Sequence, residues 1–200
     1  MRYGMVIDLK RCINCRACSI ACKMENVTPP GIFWSDVLTF ESGKYPNVKK
    51  TFIPTLCMHC GDPICVKVCP TGASYKREDG VVLVDYDKCF GCGYCVVACP
   101  YQVRSLNEKS SQYFLSELTP YERRGYPLHK VGVAEKCNFC IEKVEKGEEP
   151  ACVETCQAKA RYFGDLDDPQ SEVSKLIRNR HGFQFHREFG TDPSVYYLSA

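Results

Sequence analysis

The stretch Cys89-Phe90-Gly91-Cys92-Gly93-Tyr94-Cys95-Val96-Val97-Ala98-Cys99-Pro100 carries four cysteines at the spacing C-x2-C-x2-C-x3-C, closed by a proline. The same spacing recurs at Cys12, Cys15, Cys18 and Cys22. Two more groups keep C-x2-C at the front and C-x3-C at the back. Cys57, Cys60, Cys65 and Cys69 have a middle gap of four residues, and Cys137, Cys140, Cys152 and Cys156 a middle gap of eleven. Numbered I to IV along the chain, these groups use all 16 cysteines of the 200 residues and leave none over.

Three chemistries compete for such a pattern. Disulfides would suit a small secreted scaffold, but three thiols within seven residues pair with one another only under strain. Structural zinc uses two C-x2-C knuckles per ion and has no use for a third close cysteine or a fourth one turn later. C-x2-C-x2-C-x3-C-P is the run that bacterial ferredoxins use to hold [4Fe-4S] clusters, its fourth cysteine serving the other cluster of a pair. A cubane has four iron corners, each needing one thiolate. Three cysteines in a tight loop wrap one cube, and the fourth, on a following short helix, faces the next. The motifs therefore come in pairs, and all 16 cysteines are expected as cluster ligands.

Connections and prolines sort the pairs. Cys69 and Cys99 precede Pro70 and Pro100, whereas Cys22 precedes Lys23 and Cys156 precedes Gln157. Groups II and III are joined by 19 residues, against 34 between I and II and 37 between III and IV. Residues 57–103 read as one inner two-cluster unit, with Cys57, Cys60, Cys65 and Cys99 on one cube and Cys69, Cys89, Cys92 and Cys95 on its neighbour. Groups I and IV then pair outside it, as Cys12, Cys15, Cys18 and Cys156, and as Cys22, Cys137, Cys140 and Cys152. Tandem duplication would instead pair I with II and III with IV, and that alternative stays open at this point. A repeat of some kind is visible: Val6-Ile7-Asp8 before Arg11-Cys12 matches Leu83-Val84-Asp85 before Lys88-Cys89, and Pro63-Ile64-Cys65-Val66 matches Pro150-Ala151-Cys152-Val153.

The expected fold is α+β: duplicated bacterial-ferredoxin-like units of two [4Fe-4S] clusters each, with loop insertions and a C-terminal helix and strand. Residues 1–56 with 137–200 form the outer half, 57–103 the inner half, and 104–136 an insertion loop that is either a docking surface or plain solvated loop. Met5 to Ile7 and Val81 to Val84 read as short strands leading into cluster loops, and Val96 to Ala98 as a short helix. Val27 to Pro54 reads as a long connection in which Trp34, the single tryptophan, is a buried anchor. Asp168-Pro169 opens a helix bearing Val173, Leu176 and Ile177 that stops near Gly182, and Val195 to Leu198 is a last strand.

Composition narrows function. With 26 basic and 24 acidic residues the net charge is +2, so no basic footprint for nucleic acid exists. No apolar run approaches the ~18 residues of a spanning helix, and no secretory h-region follows Met1. The sequence holds no G-x-G-x-x-G, P-loop or H-E-x-x-H, and no cysteine is spare for nucleophilic work. The chain reads as a wire for single electrons, with no catalytic residue of its own. Of its four histidines, His59 lies inside group II, where it either donates a hydrogen bond that tunes a cluster or is exposed filler. Arg11 and Arg16 flank group I, whereas Glu142, Glu145, Glu148 and Glu149 crowd group IV beside Lys143 and Lys146. A higher potential is expected for the Cys12, Cys15, Cys18, Cys156 cluster than for the Cys22, Cys137, Cys140, Cys152 cluster.

The four groups, together with Cys22-Lys23-Met24-Glu25-Asn26, Pro29-Pro30-Gly31, Cys69-Pro70-Thr71-Gly72-Ala73-Ser74-Tyr75 and Gly164-Asp165-Leu166-Asp167-Asp168-Pro169, resemble the iron-sulfur subunit of molybdopterin oxidoreductases of the dimethyl sulfoxide reductase family. The resemblance spans nearly the whole chain and is nearest to the polysulfide, thiosulfate and respiratory arsenate reductase subunits. It implies a catalytic partner with a molybdenum or tungsten bis-pterin centre and, in many members, a quinol-oxidising membrane subunit. Inner-with-inner and outer-with-outer pairing is usual in that family. Relatives with a three-iron cluster lack one cysteine, whereas here none is replaced. The C-terminal membrane helix of formate dehydrogenase relatives is not seen, so any membrane tie is expected through a partner. Export in the family rides on the catalytic subunit's signal, and a peripheral, extracytoplasmic place is expected. A free-standing polyferredoxin, or a ferredoxin-like subunit of a formate dehydrogenase or hydrogenase complex, is the competing reading.

Overall fold

A computed structural model of the chain describes residues 1–109, 112–114 and 117–199. Strand β1 (Tyr3–Asp8) runs into the group I loop and then α1 (Ala17–Asn26), on which Cys18 and Cys22, one helical turn apart, share the buried face. A hairpin of β2 (Ser35–Lys44) and β3 (Asn47–Leu56) leads to group II and α2 (Ile64–Lys67), which carries Cys65. A second, shorter hairpin, β4 (Ser74–Lys76) and β5 (Val82–Val84), turns through Asp79-Gly80 into group III and α3 (Tyr94–Val97), which carries Cys95. Next come β6 (Ser105–Leu106), α4 (Pro120–Gly125) and β7 (Ala134–Glu135). Group IV follows with α5 (Ile141–Val144) and α6 (Ala151–Glu154), the latter carrying Cys152. The chain finishes with β8 (Arg161–Asp165), α7 (Glu172–Asn179) and β9 (Val195–Leu198).

β1 is the central strand of a sheet ordered β8-β1-β9, antiparallel to β8 (Tyr3 opposite Asp165) and parallel to β9 (Met5 opposite Val195). Both its faces are covered, which explains the unbroken apolar run Met5-Val6-Ile7. Met5 and Ile7 face a core shared with Cys18, Cys22, Cys57, Cys137 and Cys152. Val6 faces Val173 and Leu198, with Leu176 and Ile177 of α7 packed around them. The apolar stripe of α7 thus covers this sheet, as its spacing requires. The helix begins later than Asp168-Pro169, because Ser171 is the N-cap and its hydroxyl accepts the Ser174 N–H at 3.2 Å.

Two segments carry more structure than the sequence reading assigned. Within 27–54, residues from Ser35 onward form the long hairpin, paired from Ser35 opposite Leu56 to Lys44 opposite Asn47. Val37 and Leu56 are buried at its base and the outer half of each strand is exposed, so it reaches into solvent as a two-stranded ribbon. Trp34, at its foot, is buried as expected. Within 104–136, part of which lies outside the described residues, β6 pairs with β7 and α4 opens on a capping box. Thr119 accepts from the Glu122 N–H at 3.2 Å while Glu122 accepts from the Thr119 N–H at 2.8 Å. His129 donates from Nε2 to the Asn26 carbonyl at 2.6 Å and meets the buried Glu135 carboxylate through Nδ1 at 2.9 Å. These bonds tie the segment to the end of α1.

Two outcomes are expected. Ser171→Ala removes the cap of α7 at a cost of about 1 kcal/mol, seen as faster amide exchange across Glu172–Asn179. Hydrogen bonds from the Tyr113 and Thr119 backbones and the Thr119 and Tyr126 hydroxyls hold the Glu122 carboxyl at about 2, against opposing burial. Its folded value lies below its ordinary one, so the stabilisation of α4 is complete above the ordinary carboxylate range and is lost as pH falls from there towards 2. Glu122→Gln should therefore speed α4 amide exchange at neutral pH and remove its acid dependence.

Candidate metal centres

Each group presents its cysteines in the same way: the first two from a loop, the third from the start of a helix. In all four C-x2-C loops the residue just before the second cysteine is left-handed: Asn14 (φ 57°), His59 (φ 41°), Gly91 (φ 76°) and Phe139 (φ 58°). This turn aims successive amide N–H groups inwards, the arrangement of anion-binding nests. Sulfur receives some of these bonds. Phe139 N–H reaches Cys137 Sγ at 3.4 Å, and further along the groups Ser74 N–H reaches Cys69 Sγ at 3.4 Å and Ala160 N–H reaches Cys156 Sγ at 3.3 Å.

The sixteen cysteines are all free thiols, and they gather in fours. Cys12, Cys15, Cys18 and Cys156 line one small cavity; Cys69, Cys89, Cys92 and Cys95 line another. Cys60 lies among Cys57, Cys65 and Cys99, near enough that their charges make its proton harder to remove. Cys137 lies among Cys22, Cys140 and Cys152 in the same sense. Group I therefore meets group IV, and group II meets group III. The halves touch where Cys137 approaches Cys57.

The donor set suits an anionic cluster. Burial pushes the Cys60 thiol up to about 12 and Cys152 up to about 11, with neighbouring cysteines adding to it. Such thiols stay protonated until metal replaces the proton. Among the described residues no three cysteine, histidine or carboxylate side chains close around a point fit for a single ion, as a tetrahedral zinc site requires. Three fully or nearly buried cations face the sulfurs instead. Arg104 donates to Cys65 Sγ at 3.0 Å and to Ser74 Oγ at 2.9 Å. Arg161 donates to Cys18 Sγ at 3.4 Å and to Ser35 Oγ at 3.1 Å. Lys136 donates to the Val82 and Cys137 carbonyls beside Cys57. Against the pull of burial, the neighbouring cysteines, as the thiolates that metal makes of them, hold both arginines above the ordinary range. For Lys136 burial wins, and its value falls.

Sequence reasoning did not find these three cations. The available signal was offset: Arg104 and Arg161 each stand five residues after the last cysteine of their group. Of the two readings of His59, exposed filler fails. The residue is wholly buried, its Nδ1 accepts the Val82 N–H at 3.1 Å, and its ring stacks on Phe139 with centroids 3.7 Å apart. Of the eight charges invoked for ordering the outer potentials all but Lys143 are exposed, and half are paired: Arg16 with Asp36, Glu145 with Arg77, and Lys143 with Glu148 and also with Glu154. Exposed pairs carry little field, so the buried cations outweigh them.

These features define an iron-sulfur electron carrier of ferredoxin type. Family profiles described as a 4Fe-4S dicluster domain match residues 11–73, 48–118 and 113–166. The chain is 44% identical to a selenate reductase subunit of Mesobacillus selenatarsenatis, over 100% of its own length and 72% of that protein. It is 44% identical to the arsenate respiratory reductase iron-sulfur subunit of a Shewanella species, over 99% of its length and 96% of that protein. It is 43% identical to a sulfite dehydrogenase subunit of Allochromatium vinosum, over 98% and 82%. The chain belongs to the iron-sulfur subunits of molybdopterin oxidoreductases. It is an electron-transfer subunit carrying [4Fe-4S] clusters, four of them by its two dicluster domains.

The tightest loop offers a test. A Cβ on Gly91 would lie 2.0 Å from the Gly132 carbonyl oxygen, and its φ of 76° is left-handed. Gly91→Ala should cost at least ~1–2 kcal/mol from backbone strain alone, and iron per chain should drop by the content of one cluster, with the other clusters' signals unchanged.

Proposed function

We propose that this chain relays single electrons between a molybdenum or tungsten bis-pterin catalytic subunit and a quinol-linked membrane subunit or other redox partner. When bound, each cluster supplies a one-electron couple. One observation carries the reading: the cysteine sets adjoin one another in succession, each next to the following one. Cys12, Cys15, Cys18 and Cys156 adjoin Cys22, Cys137, Cys140 and Cys152, since Cys18 lies near both Cys22 and Cys152. The latter set adjoins Cys57, Cys60, Cys65 and Cys99 through Cys137 and Cys57. That set in turn adjoins Cys69, Cys89, Cys92 and Cys95 across Arg104. We assign the sets as the ligands of the four clusters, within an outer half of 1–56 with 137–200, an inner half of 57–103 and an insertion at 104–136, the two halves being duplicated ferredoxin-like units.

The ends of this series suit docking. Cys15 and Cys92 are the exposed members of their sets. Ile13 near Cys15 is 63% exposed, Phe90 near Cys92 is 64% exposed, and Val97 at the end of α3 is 88% exposed. Apolar side chains left in water around a cluster mark surfaces that a partner covers. Among the described residues no helix is long and apolar enough to cross a membrane, which accords with a peripheral chain held by its partners. We place it on the extracytoplasmic face, exported with the catalytic subunit.

Size-exclusion chromatography of the native complex with metal analysis tests the proposal. About sixteen irons per copy of this chain are expected, with molybdenum or tungsten in the same peak. A soluble monomer carrying the irons and neither metal would replace the reading with a free-standing polyferredoxin.

A further inference from the structure

Four anionic clusters in succession leave three gaps between neighbours, and each gap holds one buried cation. Arg104 stands between the inner pair: it donates to Cys65 Sγ, and its charge also acts on Cys57 and Cys95. Arg161 stands between the outer pair, donating to Cys18 Sγ and reaching Cys152. In each case the arginine acts on the third cysteine of one group and on the third cysteine of its partner group, and in each case a buried serine, Ser74 or Ser35, holds the guanidinium from the side. Lys136, wholly buried, stands at the junction of the halves with Cys57 and Cys137 as its sulfur neighbours. Among the described residues no ion pair with a carboxylate is seen for any of the three; the two arginines donate to cysteine sulfur and Lys136 to the Val82 and Cys137 carbonyls.

We infer that Arg104, Lys136 and Arg161 are positioning residues that set the potentials of the wire gap by gap, each favouring reduction of the two clusters that flank it. Reduction adds negative charge to a cluster, and a fixed positive charge in a low-dielectric gap stabilises that state far more than a solvated one would. Two adjacent reduced clusters also repel each other, and a cation between them offsets that repulsion. The arginine fork holds a sulfur and a serine hydroxyl at once, which a lysine ammonium does not do in the same geometry. The inference rests on the ligand sets proposed above.

EPR-monitored redox titration of the native, iron-loaded complex tests it through a crossed pattern. Arg104→Gln should lower the potentials of the Cys57, Cys60, Cys65, Cys99 and the Cys69, Cys89, Cys92, Cys95 clusters and leave the outer two in place. Arg161→Gln should lower the outer two alone, and Lys136→Met the two middle ones alone. A tenfold or larger shift of the oxidised-to-reduced ratio is expected at each flanking cluster, which is 59 mV for a one-electron couple. Arg104→Lys and Arg161→Lys keep the charge and should restore most of the shift. Unmoved potentials with iron retained, or all four clusters shifting together, would overturn the inference. Where a glutamine variant loses iron, wild-type protein labelled with 15N in the arginine guanidinium decides: the reduced clusters should show hyperfine coupling to that nitrogen, and its absence also overturns the inference. Wild-type complex with zinc in place of iron would sink the ligand assignment itself, a failure distinct from sixteen irons with unshifted variants.

Discussion

A thiol holds iron only as a thiolate, and a thiolate is the state that burial opposes most. This chain nonetheless buries half of its cysteines, and the rest of its architecture answers that conflict. Left-handed residues in all four C-x2-C loops turn amide N–H groups towards the sulfur. Arg104, Lys136 and Arg161 are driven into the interior, where a lone cation would be costly, because sulfur anions are the charges they meet there. The short helices α2, α3 and α6 bear Cys65, Cys95 and Cys152, so the elements exist largely to aim a side chain at metal. Metal in turn replaces much of what an apolar core does elsewhere, since the main core cluster is built from cysteines and aliphatic residues together.

The same conflict explains the strain in the loops. Asn14, His59 and Phe139 adopt a left-handed backbone state that asparagine tolerates, whereas the buried His59 and Phe139 are held there by packing rather than by preference. Phe139 is the plainest case. Its side chain is buried, stacks on His59 and meets Phe163 edge-on, so the loops of groups II and IV are braced against each other where the two halves join.

Most of the site was legible in the cysteine spacing, because a cubane leaves few ways to present four thiolates from a short segment. The strands at Met5–Ile7 and Val195–Leu198 and the stripe Val173, Leu176, Ile177 were legible for the ordinary reason that one face of each is apolar. The β2–β3 hairpin was not. Its outer residues face water on both sides, so the alternation that marks a half-buried strand is missing. α4 hid in a polar, turn-rich segment because its stability comes from a capping box and a buried carboxylate rather than an apolar face. The gap cations were invisible for a further reason: a lone Arg or Lys in sequence reads as surface, and only the fold shows that Arg104 and Arg161 have no water to face.

Strand β1 is synthesised before every other element described above, yet both of its neighbours, β8 and β9, come after group IV. Groups II and III and the hairpin between them are complete far earlier. Vectorial synthesis therefore finishes the inner unit while β1 and the group I thiols still lack their partners. The four cysteines of group I, translated ahead of the other twelve, meet the cysteines they gather with only once group IV is made, so the outer sets are completed after the inner ones.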